Sequence, residues 1–352
     1  MPARLYNGPM VALPGQPAWA PDGPPYPEPS IRVSVVVPVY RGERTLGALT
    51  DELLPLTKGG ATPGGHPFRV TEVVLVHDGA TDGSADVMIA LAARHPFIVP
   101  VWLSRNYGQH AATLAGMAST SGDWVVTLDE DGQQDPNDIG RLLDRALATG
   151  AQLVYASPAN APPHGPLRNG LSRLAKRSVA LLVGNSGIGL FNSFRLMSGE
   201  IARSLAAFCG HRVYLDIALG WVVDRVSTCP VLLREERGRP SGYTFLKLAS
   251  HFWRLVLTAG TRPLRAIALV GIFSILVAIG VSVNALHAKL VHQVEVAGWT
   301  SLVIMLSFFS GVTLLCLSVI AEYLGVALNM AMGKPTYLVV SQPPRKPPGF
   351  SS

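Results

Sequence analysis

The amino-acid sequence predicts an α/β fold with a doubly wound, mostly parallel sheet, followed by a membrane-embedded C-terminal part. Two observations predict the sheet: short β-branched runs alternate with helix-like segments, and a polar cluster follows each run. A third observation predicts the membrane part. Charged residues make up only 15% of the 352 residues, and the mean hydropathy of +0.30 is unusual for a soluble enzyme.

The proline-rich segment 1–30 precedes the first strand. It has no apolar run of the kind that a signal peptide requires, and its composition does not favour a packed core. We therefore predict a disordered arm at residues 1–30.

Four buried strands are predicted to alternate with three helices after this arm. In chain order they are strand Val33–Pro38, helix Thr45–Leu56, strand Thr71–Val76, helix Asp82–Arg94, strand Val99–Leu103, helix Gln109–Ser119 and strand Trp124–Leu128. Ligands of such sheets bind at the carboxyl ends of the strands. The sequence places its polar clusters at these ends, namely Tyr40–Glu43, His77–Asp82, Ser104–Gly108 and Asp129–Asp135.

The last of these clusters predicts a metal site. Asp129 and Asp131 stand two residues apart after an apolar run, so in an extended chain their side chains point the same way. Gln133 continues the parity with a neutral oxygen. Hard cations such as Mg²⁺ or Mn²⁺ take oxygen ligands and share them with substrate phosphates. We expect Asp129, Asp131 and Gln133 to hold such a cation against a pyrophosphate; an acidic surface turn is the alternative.

The C-terminal third contains two long segments without a formal charge, residues 266–286 and 296–321. A helix over the first would be about 31 Å long, which matches the roughly 30 Å hydrocarbon core of a bilayer. We predict two spans, at about 266–286 and 299–321. Basic residues are concentrated before the first span and after the second, not in the loop between the spans. By the positive-inside rule, both termini and the α/β domain should therefore be cytoplasmic.

These features divide the chain into five predicted parts. They are the arm at 1–30, a cytoplasmic α/β domain at 31–240, an interfacial amphipathic helix at 241–263, a two-helix transmembrane domain at 264–325 and a cytoplasmic tail at 326–352. For the amphipathic segment Tyr243–Leu257, a core helix of the α/β domain is the alternative.

The composition of the chain limits the classes of binding partner that we predict. The net charge of +6 fits attraction to a membrane surface and to phosphate, and the sequence predicts no nucleic-acid partner. Three scattered cysteines form neither a disulfide framework nor a metal-binding spacing. No Walker loop is present and no Gly-x-Gly-x-x-Gly follows the first strand, so a nucleotide must be recognised in another way.

Four motifs in order resemble glycosyltransferase family 2: Val37–Tyr40, Asp78–Gly83, Ser104–Gly108 and Asp129–Pro136. Within that family, Phe194–Ser198 and the two spans are similar to the polyprenyl-phosphate glycosyltransferases. These include dolichol-phosphate mannose synthases, bactoprenol glucosyltransferases and undecaprenyl-phosphate formamido-arabinose transferases. The resemblance covers residues 31 to about 340 and implies a GT-A-like fold.

The resemblance also implies roles for individual residues. Donor binding would involve Pro38, Tyr40, Glu43, Asp78, Asn106, Asp129, Glu130, Arg237, Ser241 and Tyr243. Asp78 would bind the base, and the last three would belong to a mobile loop over the diphosphate. Acceptor binding would involve Ser193, Arg195, Arg168, Arg173 and Lys176. The catalytic residues would be Asp129, Asp131 and Arg195; for Arg195 a structural ion pair is the alternative.

Three positions depart from the family's pattern. His77 stands where relatives carry the first of two carboxylates, and Arg41-Gly42 separate Tyr40 from Glu43, which leaves the role of Glu43 open. Asn192-Ser193 replace a Gly-Asp pair that many relatives carry before the Phe-Arg-Leu motif. A base is dispensable because a phosphate monoester, with its second pKa near ~6, is largely dianionic at neutral pH.

The resulting hypothesis is an inverting, metal-dependent transferase that moves one sugar from a nucleotide sugar to a polyprenyl phosphate. The resemblance favours UDP over GDP as the nucleotide of the donor. The alternative is a polyprenyl-phosphate mannose synthase that uses GDP-mannose as its donor. A processive polysaccharide synthase would need more spans and a Gln-x-x-Arg-Trp motif, and the sequence has neither. A non-catalytic nucleotide-binding membrane scaffold is the alternative from another class. Relatives with this layout self-associate, which implies a homo-oligomer.

Overall fold

The computed structural model describes residues 30–160, 191–210, 213–234 and 298–344, together with parts of 271–287. The elements in chain order are β1 Ile31–Val39, α1 Leu46–Thr57, β2 Gly60–Ala61, β3 Pro67–His77, α2 Ser84–Arg94, β4 Ile98–Leu103, α3 Gln109–Ala118, β5 Trp124–Thr127, a 3-10 turn Pro136–Asp138, α4 Ile139–Thr149, β6 Leu153–Pro158, β7 Arg195–Ser198, α5 Gly199–Phe208, α6 Leu215–Val222, β8 Val226–Val231, α7 Trp299–Ala331 and β9 Val339–Val340.

The strands form one sheet with the order β8-β6-β7-β5-β1-β3-β4-β9, and β2 pairs with the outer part of β3. The four strands predicted from sequence, β5-β1-β3-β4, are neighbours and parallel. Strand β7 is antiparallel to both β5 and β6, and β9 is antiparallel to β4. The predicted α/β fold with a mostly parallel sheet is therefore confirmed.

Helices cover both faces of this sheet, as a doubly wound fold requires. Val35 and Val37 of β1 point to a core that also contains residues of α1, α2 and α4. Val36 points to the opposite face, into a core shared with α3, α5 and α6. Because successive strand residues alternate between faces and both faces are covered, the strand reads as an unbroken β-branched run.

The parallel arrangement brings four strand ends to one edge of the sheet. Strands β1, β3, β4 and β5 end there at Val39, His77, Leu103 and Thr127. The antiparallel strand β7 begins at the same edge, because Arg195 pairs with Thr127. The polar loops that follow these ends therefore converge on a single region.

One helix in the described part of the chain is long and apolar enough to cross a membrane. It is the Phe308–Asn329 portion of α7, which has 22 residues and a mean hydropathy of 2.0, and none of it is buried. Helix α7 continues ten residues beyond the predicted end of the second span at 321, past the first charge at Glu322.

The first predicted span, 266–286, is described only in part. A shorter apolar helix occupies Gly271–Val281 within it. The predicted interfacial helix at 241–263 and residues 1–29 of the predicted arm lie outside the described residues.

The chain returns from α7 to the sheet. Gly333, with a φ of +65°, follows the end of the helix, and residues 339–340 then form the edge strand β9 on β4. The predicted tail is thus partly built into the α/β domain.

Candidate active site

Asp78, at the end of β3, holds the loop that follows β4. Its carboxylate accepts hydrogen bonds from the backbone N–H groups of Tyr107 at 2.7 Å and Gly108 at 2.9 Å. The side chain is 3% exposed, and burial raises its pKa to about 6 even though the two amides act in the opposite direction. In this structure, Asp78 shapes the loop that contains Asn106, whose side chain is exposed at the site.

His77 is buried beside Asp78. It is 2% exposed, and among the described residues neither ring nitrogen has a hydrogen-bond partner. Its ring lies 5.5 Å from that of Trp102. Burial lowers the pKa of His77 more than the charge of Asp82 raises it, so the imidazole is neutral at physiological pH.

Glu130 holds the loop after β1. Its two carboxylate oxygens accept from the backbone N–H groups of Tyr40 at 3.0 Å and Arg41 at 2.8 Å. The Tyr40 side chain is 42% exposed, and Pro38, two residues earlier, is half-buried. Glu130 thus positions a predicted donor-binding residue through the backbone.

Glu43 ties the loop after β1 to the loop after β3. Its Oε2 accepts from the backbone N–H of Gly83 at 3.1 Å, immediately before α2. The Glu43 side chain itself is exposed. The two loops that carry Tyr40 and Asp78 are therefore joined to each other.

Asp129 is fixed by three neighbouring side chains. Gln109 donates to it at 2.6 Å from Nε2, and Ser193 donates to it from Oγ. Gln134 binds it twice, because its Nε2 donates to the carboxylate at 3.0 Å and its Oε1 accepts from the Asp129 backbone N–H at 2.9 Å. Burial raises the pKa of Asp129, the Ser193 bond lowers it, and the nearby charge of Asp131 raises it again.

Asp131 accepts fewer hydrogen bonds than Asp129. It is half-buried and accepts one hydrogen bond, from the backbone N–H of Gln133 at 3.0 Å. In the described part of the chain, no group of three or more His, Cys, Asp or Glu side chains could hold a metal ion. Two neighbouring carboxylates still fit Mg²⁺ or Mn²⁺, which use one or two carboxylates and complete their coordination with water and substrate phosphates.

Arg195 is buried in an ion pair with Asp216. It is 3% exposed, its guanidinium contacts the Asp216 carboxylate, and its Nε donates to Thr127 Oγ1 at 3.3 Å. Tyr155 also donates to Asp216, at 2.8 Å. This is the structural ion pair that the sequence left open as the alternative, and contact with an acceptor phosphate would require Arg195 to leave Asp216.

Asn192 and Ser193 organise the entry to β7. Asn192 Nδ2 donates to the Ala156 carbonyl at 2.8 Å, and its Oδ1 accepts from the backbone N–H of Phe194 at 3.1 Å. Ser193 Oγ accepts from Gln134 Nε2 at 2.9 Å while donating to Asp129. A hydroxyl committed in this way supports the Asp129 carboxylate and is not a general base.

The chain after β8 passes the Asp129–Asp135 segment before it leaves the described region. The Arg234 backbone N–H donates to the Gln133 carbonyl at 2.9 Å. Its guanidinium bridges Glu52 and Asp135, with a shortest distance of 2.7 Å to each. Residues Arg237, Ser241 and Tyr243 follow within ten positions and lie outside the described residues, as do Arg168, Arg173 and Lys176.

The structure places three residues in the site to which the sequence analysis assigned no individual role. One of them, Asp216, ends a polar stretch at 211–216 for which the sequence left open a part in the sugar or acceptor pocket or a buried helix. Gln109 and Gln134 bind Asp129, and Asp216 pairs with Arg195. Gln134 adjoins Gln133 in a motif already recognised, and Asp216 is a lone carboxylate beside an apolar run, so both carried a weak signal. Gln109 carried none beyond its place at the start of a helix.

Comparison with known proteins identifies the family. Residues 34–204 match the family described as Glycosyl transferase family 2. An undecaprenyl-phosphate 4-deoxy-4-formamido-L-arabinose transferase of Pseudomonas aeruginosa (strain LESB58) is 33% identical over 316 residues, or 89% of this chain and 91% of that protein. The chain belongs to glycosyltransferase family 2. The resemblance predicted from the motifs is confirmed, and the glycosyltransferase is an enzyme rather than a non-catalytic scaffold.

Further relatives of the glycosyltransferase carry related names. The enzyme of the same name from Serratia proteamaculans (strain 568) is 29% identical over 316 residues, covering 89% of this chain and 94% of that one. Among solved structures, glucosyl-3-phosphoglycerate synthase from Mycobacterium tuberculosis with Mn²⁺, UDP and glucosyl-3-phosphoglycerate is similar with a TM-score of 0.46. It is 21% identical and covers 66% of this chain and 80% of that chain.

Proposed function

We propose that the glycosyltransferase moves a single sugar, with inversion, from a nucleotide sugar to a polyprenyl phosphate at the cytoplasmic membrane face. The observation that carries the proposal is the extent of the match to the undecaprenyl-phosphate transferases. It covers 89% of this chain, so it cannot be confined to the α/β domain and must reach the apolar C-terminal third. The relatives therefore share both the transfer domain and the part suited to a lipid acceptor.

The convergent loops after β1, β3 and β4 form the proposed donor pocket. Tyr40 and Asn106 offer exposed side chains there, and Asp78, Glu43 and Glu130 hold the loops that carry them. A UDP-sugar is the favoured donor, on the resemblance to the family. Closure over the diphosphate is assigned to Arg237, Ser241 and Tyr243, which follow directly after Arg234 beside the Asp129–Asp135 segment.

Asp129, Asp131 and Gln133 are the proposed seat of Mg²⁺ or Mn²⁺. Such a cation supplies charge neutralisation that makes the nucleoside diphosphate a better leaving group. Asp131 is the more available ligand, because Asp129 already accepts bonds from three side chains. Gln109, Gln134 and Ser193 hold Asp129 in place, so the site does not have to reorganise around each substrate.

The acceptor is proposed to react without a general base. Its phosphate is largely dianionic at neutral pH, with the second pKa near ~6, so it is already nucleophilic. Ser193 replaces the acid of many relatives and donates to Asp129. Arg195 then acts indirectly, because its ion pair with Asp216 joins β7, the strand between β5 and β6, to helix α6. The acceptor phosphate is assigned to Arg168, Arg173 and Lys176.

The edge strand β9 supports two membrane spans. It follows α7 and pairs with β4, so the chain on the far side of the apolar helix returns to the α/β domain. A single crossing would leave β9 on the side of the membrane opposite to β4. Two crossings satisfy this pairing, and the proposed second one is the charge-free segment 266–286, which contains the shorter apolar helix Gly271–Val281. This fits the predicted cytoplasmic location of both termini; self-association stays a prediction.

The test is direct product analysis. Membranes containing the enzyme are incubated with a panel of radiolabelled nucleotide sugars, a polyprenyl phosphate, and Mg²⁺ or Mn²⁺, and the lipid extract is analysed. We expect label in a polyprenyl-phosphate sugar with one donor and no label when EDTA is present. Label in a polymer, or in water-soluble products alone, would contradict the proposal.

A further inference from the structure

The segment Thr336–Val340 is bound along the free edge of β4. Val340 pairs with Trp102, and Val339 pairs with Leu103, in an antiparallel ladder. The contact continues beyond the strand, because the Leu338 carbonyl accepts from the Ser104 backbone N–H at 2.9 Å.

Side chains of the same segment reinforce this contact. Thr336 Oγ1 donates to the Cys209 carbonyl at 3.1 Å, at the end of α5. Tyr337 packs against the core on one face of the sheet and Val340 packs against the core on the other. The segment is therefore anchored through its backbone and on both sides of the sheet edge.

Ser104 is also the first residue of the proposed donor loop, Ser104–Gly108. This loop is held at its far end by Asp78, which binds the amides of Tyr107 and Gly108. At its centre it lies so close to Gly79 that a Cβ there would be 2.4 Å from the Asn106 backbone nitrogen. Leu338 supplies the bond that fixes its near end, at Ser104.

We propose that Thr336–Val340 is a positioning segment for donor binding, which fixes the Ser104–Gly108 loop from the C-terminal side of the membrane domain. The inference rests on the proposed function, because it assumes that this loop contacts the nucleotide sugar. Seven residues separate the end of α7 from β9, so the apolar helix and the donor loop belong to one continuous connection. In the described part of the chain, the hydrogen bonds of this segment go to β4, Ser104 and Cys209 and not to Asp129 or Asp131, so it acts on the donor through Ser104.

Two stop codons separate this role from that of the rest of the tail. A stop after Lys334 removes Thr336–Val340, whereas a stop after Pro344 removes only residues 345–352 and is the matched control. We expect the first truncation to raise the donor KM about tenfold, the effect of losing one or two backbone hydrogen bonds, with the acceptor KM nearly unchanged. The control should retain the wild-type donor KM.

Proline substitutions test the ladder without shortening the chain. In an antiparallel ladder the N–H and C=O of one residue point the same way and alternate along the strand. Leu338 points its carbonyl at β4, so the N–H of Val340 also faces β4 and that of Ser341 faces away. V340P should therefore raise the donor KM, and S341P, which keeps the ladder, should not.

The readout distinguishes positioning from simple damage. Loss of folded enzyme would lower the apparent kcat and leave both KM values unchanged, whereas a displaced donor loop raises the donor KM and is overcome at saturating donor. An unchanged donor KM in both the Lys334 truncation and V340P would overturn the inference, while wild-type transfer in the same assay would keep the proposed function intact. If the wild-type enzyme forms no lipid-linked sugar, the proposed function itself fails.

Discussion

At the level of single residues, the carboxylates of the candidate site differ in how many hydrogen bonds they accept. Asp78 and Glu130 each bind two backbone amides, and Asp129 is bound by three side chains. Asp131 has a single amide contact. Substitutions of these acids should therefore differ in whether they affect folding or catalysis.

Asp131→Asn should abolish catalysis without unfolding the protein. The change removes a charge from the proposed cation seat and leaves an isosteric side chain, so we expect transfer to fall by about 100-fold or more. The melting temperature in detergent should stay close to that of the wild type. Asp86→Asn, an exposed carboxylate on α2, is the control and should retain activity. Near-normal transfer by the Asp131 variant would exclude it as a ligand.

Donor binding should weaken as the pH falls through about 6. The pKa of Asp78 is raised to about 6 by burial, so the carboxyl gains a proton below that pH. A protonated oxygen can no longer accept from the amide that faces it, which releases one end of the donor loop. Binding of UDP without acceptor, measured by calorimetry from pH 5 to 8, should show this decline.

Asp78→Asn is the companion to this pH profile. Its side chain resembles the protonated acid and does not titrate, so UDP affinity should be low and flat across the range. A variant that shows the same decline as the wild type would assign the pH dependence to another group.

Arg195→Ala should destabilise the fold. It would leave the Asp216 carboxylate buried without its cation, which typically reduces the free energy of unfolding by about 3–5 kcal/mol. The double variant Arg195→Met/Asp216→Leu should recover part of that loss, because no unpaired charge remains. Thermal unfolding in detergent measures both. A selective rise in the acceptor KM with unchanged stability would instead favour direct contact with the acceptor.

At the level of elements, the turn after β3 depends on a glycine. Gly79 has a φ of +62°, and a Cβ there would meet the Asn106 nitrogen at 2.4 Å. Gly65, in the β2–β3 turn, has a φ of +87° but open space around it. The two positions share a left-handed backbone and differ in what surrounds them.

Gly79→Ala should therefore reduce stability and UDP binding more than Gly65→Ala does. The second change adds only the left-handed strain of about 1 kcal/mol. The first must also push the donor loop aside, so we expect a larger loss of stability and weaker UDP binding. Equal effects of the two substitutions on stability and on UDP affinity would show that the close approach at Asn106 is unimportant.

The sequence predicted the elements whose signal is local. The strands β1, β3, β4 and β5 were recognisable from short apolar runs, and Asp129 and Asp131 from their spacing at a strand end. The pairing of Arg195 with Asp216 joins residues on β7 and α6, and their spacing along the chain has no periodic signature. Strand β9 has only two residues, too few for a recognisable strand pattern, and it is defined by its pairing with β4. Such features depend on which segments meet in three dimensions.

At the level of the whole molecule, the chain should cross the membrane twice. If both apolar helices cross the membrane, the pairing of β9 with β4 places the segment between them on the side opposite to the α/β domain. A cysteine introduced at Glu295 should react with a membrane-impermeant maleimide added to intact cells. A cysteine at Lys334 should react only after the cells are opened. Labelling of both positions from outside would contradict this topology.

Strand β9 also affects the order in which the enzyme is made. About two thirds of the chain separates β9 from its partner β4, and domains fold from the N-terminus while synthesis continues. The edge strand leaves the ribosome only after both apolar helices, when membrane insertion is under way. The newly made α/β domain therefore lacks its last edge strand until both apolar segments have been synthesised.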